Sequence, residues 1–126
     1  MLSTSKLTAI LPVQDMERAK AFYRDTLGLE PTAELDDGSQ LFSSDGSTAI
    51  ELMLRPDVVP TDVTALSFQV DDLPGAIGNL EGAGVVFRDY DEPGLKTEDH
   101  IVTTPHHKTA WFADTEGNLL CLHQPL

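Results

Sequence analysis

The sequence predicts an α+β chain built from two copies of a βαβββ unit, and three observations carry that prediction. A compact apolar run followed at once by an aspartate occurs twice, in "LTAILPVQDM" (Leu7 to Met16) and in "VTALSFQVDDL" (Val63 to Leu73). Each is followed by a segment of helical periodicity and then by short apolar segments broken at Gly, Asp and Asn. One register, Val13 on Val70, Asp15 on Asp72 and Met16 on Leu73, aligns the two copies.

Leu7 to Val13 has the short apolar run of a buried strand, and the carboxylate of Asp15 is placed to cap the free amides of a helix start. Met16, Ala19, Phe22, Tyr23 and Leu27 then recur at helical spacing, and Gly28 supplies the left-handed residue at which helices commonly end. "PTAEL" predicts a short strand; "SQLFSS" and "TAIELMLR" predict a hairpin turning at Asp45 and Gly46. The polar, proline-bearing stretch 56–62 reads as a linker between module one, 7–55, and module two, 63–124, inside a single domain spanning 1–126. In module two, "LPGAIGNLEGAG" predicts a helix ending near Gly84. Gly75, Gly78 and Gly82 would each cost about 1 kcal/mol against alanine in its interior, so this helix is short or its backbone packs closely on something. "GVVFRDY" predicts a further strand, and "KTAWFAD" and "LLCLHQ" close the module as a hairpin through "TEGN".

With 126 residues and 40% hydrophobic content, the chain has apolar material for one well-buried core. Twenty-one acidic against eight basic residues give a net charge of -13, which repels phosphate backbones and anionic lipid, so nucleic acid and membrane are not expected partners. A single cysteine cannot close an internal disulfide, and the N-terminal stretch has no basic segment followed by a long apolar run. A soluble, cytoplasmic protein is expected. The acidic runs "ELDDG" and "RDYDEPG" read as solvated loops.

The segment "LPVQDMERAKAFYRDTLGLE", the second start "FQVDDL" and the closing "AWFADTEGNLLCLHQ" together resemble the vicinal oxygen chelate superfamily over residues 7–124. That superfamily includes glyoxalase, bleomycin-resistance and extradiol dioxygenase proteins. The resemblance implies that the two modules form a curved eight-stranded mixed sheet around a cup in which small-molecule chemistry occurs, and that single chains dimerise. It also implies four metal-ligand positions, one on the first and one on the last strand of each module. Here they fall on Thr8, Glu51, Ala65 and Cys121. Only Glu51 is an unambiguous ligand, whereas a catalytic site needs about three protein ligands, so no cofactor is expected and a divalent metal is disfavoured.

Alternation on the last strand sends Leu119, Cys121 and His123 to one face, which the family register makes the cup face. Cys121 reads either as a small lining residue or as a thiolate activated by His123. Glu51 reads either as a pocket carboxylate that binds a ligand donor or, where burial raises its pKa, as a general base. The same alternation adds Ile10, Ala49, Met53, Ser67, Gln69 and Trp111 to the wall, beside Thr8 and Ala65. A mainly apolar wall with Trp111 for stacking suits a flat, partly aromatic molecule, although a strand tryptophan is also ordinary core. His100, His106 and His107 with Glu98 and Asp99 could be a metal cluster, but "TTPHHK" also reads as a solvated hairpin tip or a lid, and adjacent histidines on a strand face opposite ways. The function these features favour is metal-independent binding of a small organic molecule by a homodimer, as in the drug-sequestering branch of that family. The rivals are a lyase or isomerase of glyoxalase type with Glu51 as base and His123 or Cys121 assisting, and a non-catalytic protein-interaction module.

Overall fold

The computed structural model describes residues 1–43 and 48–126, so the turn expected at Asp45 and Gly46 lies outside the described residues. The chain divides into two compact units, Met1–Pro60 and Thr61–Leu126, with the boundary inside the stretch read as a linker. The eight core strands of the two repeats fall four to each unit. Among the described residues no helix is long and apolar enough to cross a membrane.

Unit 1 runs β1 (Leu7–Val13), α1 (Met16–Ala21), β2 (Glu30–Glu34), β3 (Gln40–Ser43) and β4 (Thr48–Leu54). Asp15 caps α1 as its position in the sequence requires, accepting from the Arg18 amide at 3.1 Å. The helix widens into a π-turn over Phe22–Thr26 and stops at Gly28, whose φ of 73° is the left-handed value a side chain disfavours. The sheet order is β1-β4-β3-β2, with β1 parallel to β4 and the other pairs antiparallel. Leu11, Val13, Phe42, Ile50 and Leu52 are buried, as are Ala19 and Tyr23 of the helical segment. Tyr23 brings its ring to 6.1 Å from that of Phe42. Burial of these side chains is the principal stabilising term for the unit, at roughly 1.5–3 kcal/mol for each large one.

Unit 2 runs β5 (Thr64–Gln69), α2 (Leu73–Gly82), β6 (Asp91–Glu92), β7 (Leu95–Lys96), β8 (Val102–Thr103), β9 (His107–Ala113) and β10 (Leu119–Pro125). Its sheet order, β5-β10-β9-β8, repeats that of unit 1, again with the first and last strands parallel. Asp72 repeats the cap, accepting from the Gly75 amide at 3.1 Å. The glycines of α2 have different explanations. A Cβ at Gly75 would land on the capping carboxylate of Asp72, whereas Gly78 and Gly82 have nothing within 4 Å among the described residues. The "TEGN" turn is held by Asp114, whose carboxylate accepts from the amides of Glu116 and Asn118, both at 2.8 Å.

Two strand expectations for unit 2 are corrected. "GVVFRDY" is not a strand: only Phe87 bridges to β9, opposite Phe112, and the Arg88 amide donates to the Trp111 carbonyl at 2.8 Å. The buried Phe87 ring, 5.3 Å from that of Phe112, pins this one point. The chain then leaves the sheet edge, with Arg88 paired to Asp62 at 3.1 Å, and regains β9 only at β8. The excursion 88–101 contains the β6–β7 ribbon, so "RDYDEPG" is partly strand and not simply a solvated loop. The second correction is at Ala65, expected on one face with Ser67 and Gln69. Leu119 pairs with Thr64 and Leu120 with Leu66, so Ala65 is the extra residue of a bulge that interrupts that alternation.

Candidate functional site

On the face of unit 2's sheet that alternation assigned to the site, Ser67, Cys121 and Trp111 stand side by side across three strands, because Cys121 pairs with Ser67 on one side and Trp111 on the other. His123 lies one pleat further along, between Gln69 and Thr109. Together with residues of the 88–107 stretch they border an open cavity of about 510 Å³. Ser67, Cys121, His123, Thr109, His107, Trp111 and Val102 form its sheet side; Leu95, Thr104 and His106 border it from the excursion and the turn before β9.

Of the two readings of Cys121, the polar geometry of this face does not support the one that pairs it with His123. His123 turns its Nδ1 to the hydroxyl of Ser67, 2.5 Å away, while the Cys121 Sγ is directed at the Leu122 carbonyl at 3.5 Å. Cys121 is 5% exposed. Burial pushes its thiol above the ordinary value, and a hydrogen bond with Ser67 partly opposes that shift. These contacts fit a protonated lining residue. Trp111 is anchored by donation from its Nε1 to Thr64 Oγ1 at 3.2 Å and by the edge-on ring of Tyr90 at 5.5 Å. The bulge at Ala65 puts Thr64 in reach of the indole, a contact that strict alternation from Ser67 could not foresee.

Not every expected wall residue reaches this cavity. Gln69 and Ala65 are exposed and Leu119 is buried at 3%, and none of the three lines it. Thr8, Ile10, Ala49, Glu51 and Met53 share one face of unit 1's sheet, with Thr8 opposite Ala49 and Ile10 opposite Glu51. Ile10 is 55% exposed there and Glu51 half-buried. The histidines divide. His100, at φ 71°, gives its Nδ1 to Asp89 at 2.8 Å, comes within 3.5 Å of Glu81, and stacks against Phe87. His106 and His107 both border the cavity, because His106 belongs to the turn closed by Thr104 and only His107 is in the strand. The tip is exposed and lines the cavity at once. Thr109 could have been found by alternation within "HKTAW"; Leu95 and Thr104 carry no local signal.

The whole-chain pattern now has a counterpart: a glyoxalase/bleomycin resistance protein/dioxygenase superfamily model matches residues 6–122. The chain belongs to that superfamily. Its fold is similar to that of TnmS3, an antibiotic binding protein from Streptomyces sp. CB03234, with 27% identity, a TM-score of 0.78, and 100% of this chain and 99% of that one covered. A glyoxalase/bleomycin resistance protein from the same Streptomyces strain is also 27% identical, with a TM-score of 0.71 over 95% of this chain and 100% of that one. A lactoylglutathione lyase from Agrobacterium tumefaciens, 18% identical with a TM-score of 0.70 over 96% and 93% of the two chains, shares the fold. No curated protein is significantly similar in sequence.

The superfamily's four metal-ligand positions hold a hydroxyl (Thr8), a carboxylate (Glu51), a methyl (Ala65) and a thiol that burial keeps protonated (Cys121). Among the described residues no three His, Cys, Asp or Glu side chains gather in a way that could hold an ion. This donor set does not fit a catalytic divalent metal.

Proposed function

We propose that this protein binds a flat, partly aromatic organic molecule in the cavity of unit 2, and that it does so without the divalent metal that the family resemblance implies. The observation that carries this reading is the cavity itself. Its volume of about 510 Å³ is in the range of small-molecule sites, and its lining joins an anchored indole to a few polar points on a largely apolar wall. The likeness to an antibiotic binding protein along the whole chain supports it. Cys121 acts as lining and Ser67 with His123 as orienting groups. We also take the protein to act as a homodimer, since each four-stranded sheet ends in an edge strand that needs covering.

Native mass spectrometry of freshly purified protein, with metal analysis of the same sample, tests all three parts. The expected result is a dimer mass, a retained or readily added organic ligand, and no stoichiometric metal. One ion per chain, lost in Glu51→Gln, would overturn the metal-free reading. Wild-type turnover of the retained ligand that Glu51→Gln abolishes with binding intact would replace it by the lyase or isomerase reading.

A further inference from the structure

Twelve residues line the unit 2 cavity, and three of them, His106, His107 and His123, are histidines out of four in the whole chain. None of the twelve is Asp, Glu, Lys or Arg. With 21 acidic residues in 126, one in six, a random set of twelve would hold about two acids. Among the described residues no carboxylate lines this wall. Even the acidic residues of the neighbouring ribbon, Asp91 and Glu92, are exposed and lie outside the lining.

Imidazoles are the one titratable side-chain type here that either donates a neutral hydrogen bond or carries a positive charge near neutral pH. His123 has its Nδ1 engaged by Ser67 at 2.5 Å, so Nε2 is the ring atom it offers to a ligand. His106 and His107 stand exposed in the turn that borders the same cavity. Trp111, held by Thr64 and Tyr90, supplies the aromatic platform. A ligand ammonium would meet no carboxylate on this wall, whereas an ionised acid would meet three imidazoles.

Resting on the binding function proposed above, we infer that the ligand is a flat aromatic molecule carrying an ionised acidic group, a carboxylate or phenolate, which His106, His107 and His123 receive while the ring lies against Trp111. The selectivity is local: the net charge of -13 repels an anion at long range, and the carboxylate-free, histidine-bearing wall reverses that preference at contact.

Trp111 is the only tryptophan in the chain, so its fluorescence reports on this cavity. The probes are 2-naphthoate, 2-naphthamide and 2-naphthylmethylammonium, which share a ring system and differ in charge, titrated at one neutral pH and physiological salt. We expect naphthoate to bind about tenfold tighter than the amide, the difference a charge-assisted hydrogen bond makes, and the ammonium most weakly. The double variant His106→Gln/His123→Gln should bring naphthoate to the level of the amide measured on the same variant, while His100→Gln, outside the cavity, should change neither. If the His123 change disturbs folding, as circular dichroism would show, His106→Gln/His107→Gln carries the same test from exposed positions. Equal affinity for the three probes, or preference for the ammonium, overturns the acidic-ligand inference and leaves the binding function standing. Failure of all three to perturb Trp111 overturns the aromatic cavity as well, and with it the function on which this inference rests.

Discussion

Ile10, Glu51 and Leu41 in unit 1 and Ser67, Cys121 and Trp111 in unit 2 occupy equivalent places in equivalent sheets, each triplet running across the first, last and third strands of its repeat. The side chains differ at every place. In unit 1 the row is a branched alkyl group, a carboxylate and a second alkyl group, with Ile10 more than half exposed. In unit 2 it is a hydroxyl, a buried thiol and an indole, bordered by an excursion that unit 1 lacks: β2 and β3 are joined by the tight turn at Gly38, while the 88–101 segment interrupts the corresponding edge of β9. The two repeats share one sheet order, and the segment added at one sheet edge borders an open cavity on the face of unit 2. The buried faces, by contrast, remained alike, with Phe42 and Phe112 each wholly buried.

The largest effect should come from those buried faces. Phe42→Ala and Phe112→Ala each remove a fully buried ring, and each should cost about 3–5 kcal/mol by denaturant unfolding. Similar losses would support equivalent cores; a cost near zero for one would break the equivalence. Next, Trp111→Leu gives unit 2 the residue of unit 1 at this place, Leu41, and should weaken aromatic ligand binding at least tenfold, about 1.4 kcal/mol. Calorimetric titration checks this, and Leu41→Ala should leave affinity unchanged.

A smaller, matched pair of effects tests the repeated helix starts. Asp15→Ala and Asp72→Ala each delete a cap and should each cost about 1 kcal/mol. Within α2, Gly78→Ala should raise stability by up to about 1 kcal/mol, whereas Gly75→Ala should not, because its Cβ would meet the Asp72 carboxylate. The smallest effect is the pH dependence from Cys121, which has no thiol counterpart at Glu51. Its folded pKa is raised by burial, so the stability it contributes is fully present below the unfolded thiol value of about 8.5 and is lost as pH rises through the folded value. Unfolding free energies measured on either side of that window should fall toward alkaline pH, and Cys121→Ala should flatten the slope.

The repeat itself was legible because it rests on local chemistry. An aspartate after an apolar strand caps a helix wherever it stands, and Asp15 and Asp72 both do so. Alternation placed Ser67, Cys121, His123 and Trp111 on one face for the same reason: the period of a strand is a property of its own backbone. The three-dimensional fold alone determined how these side chains are used. His123 faces Cys121's neighbour Ser67 across a strand boundary, a bulge at Ala65 delivers Thr64 to the indole, and "GVVFRDY" meets β9 by a single bridge at Phe87 while β8 takes up the edge further along. Those outcomes depend on cross-strand register and on where an inserted segment returns to the sheet. Both are set by contacts between residues far apart in the chain, about which a local pattern carries no information.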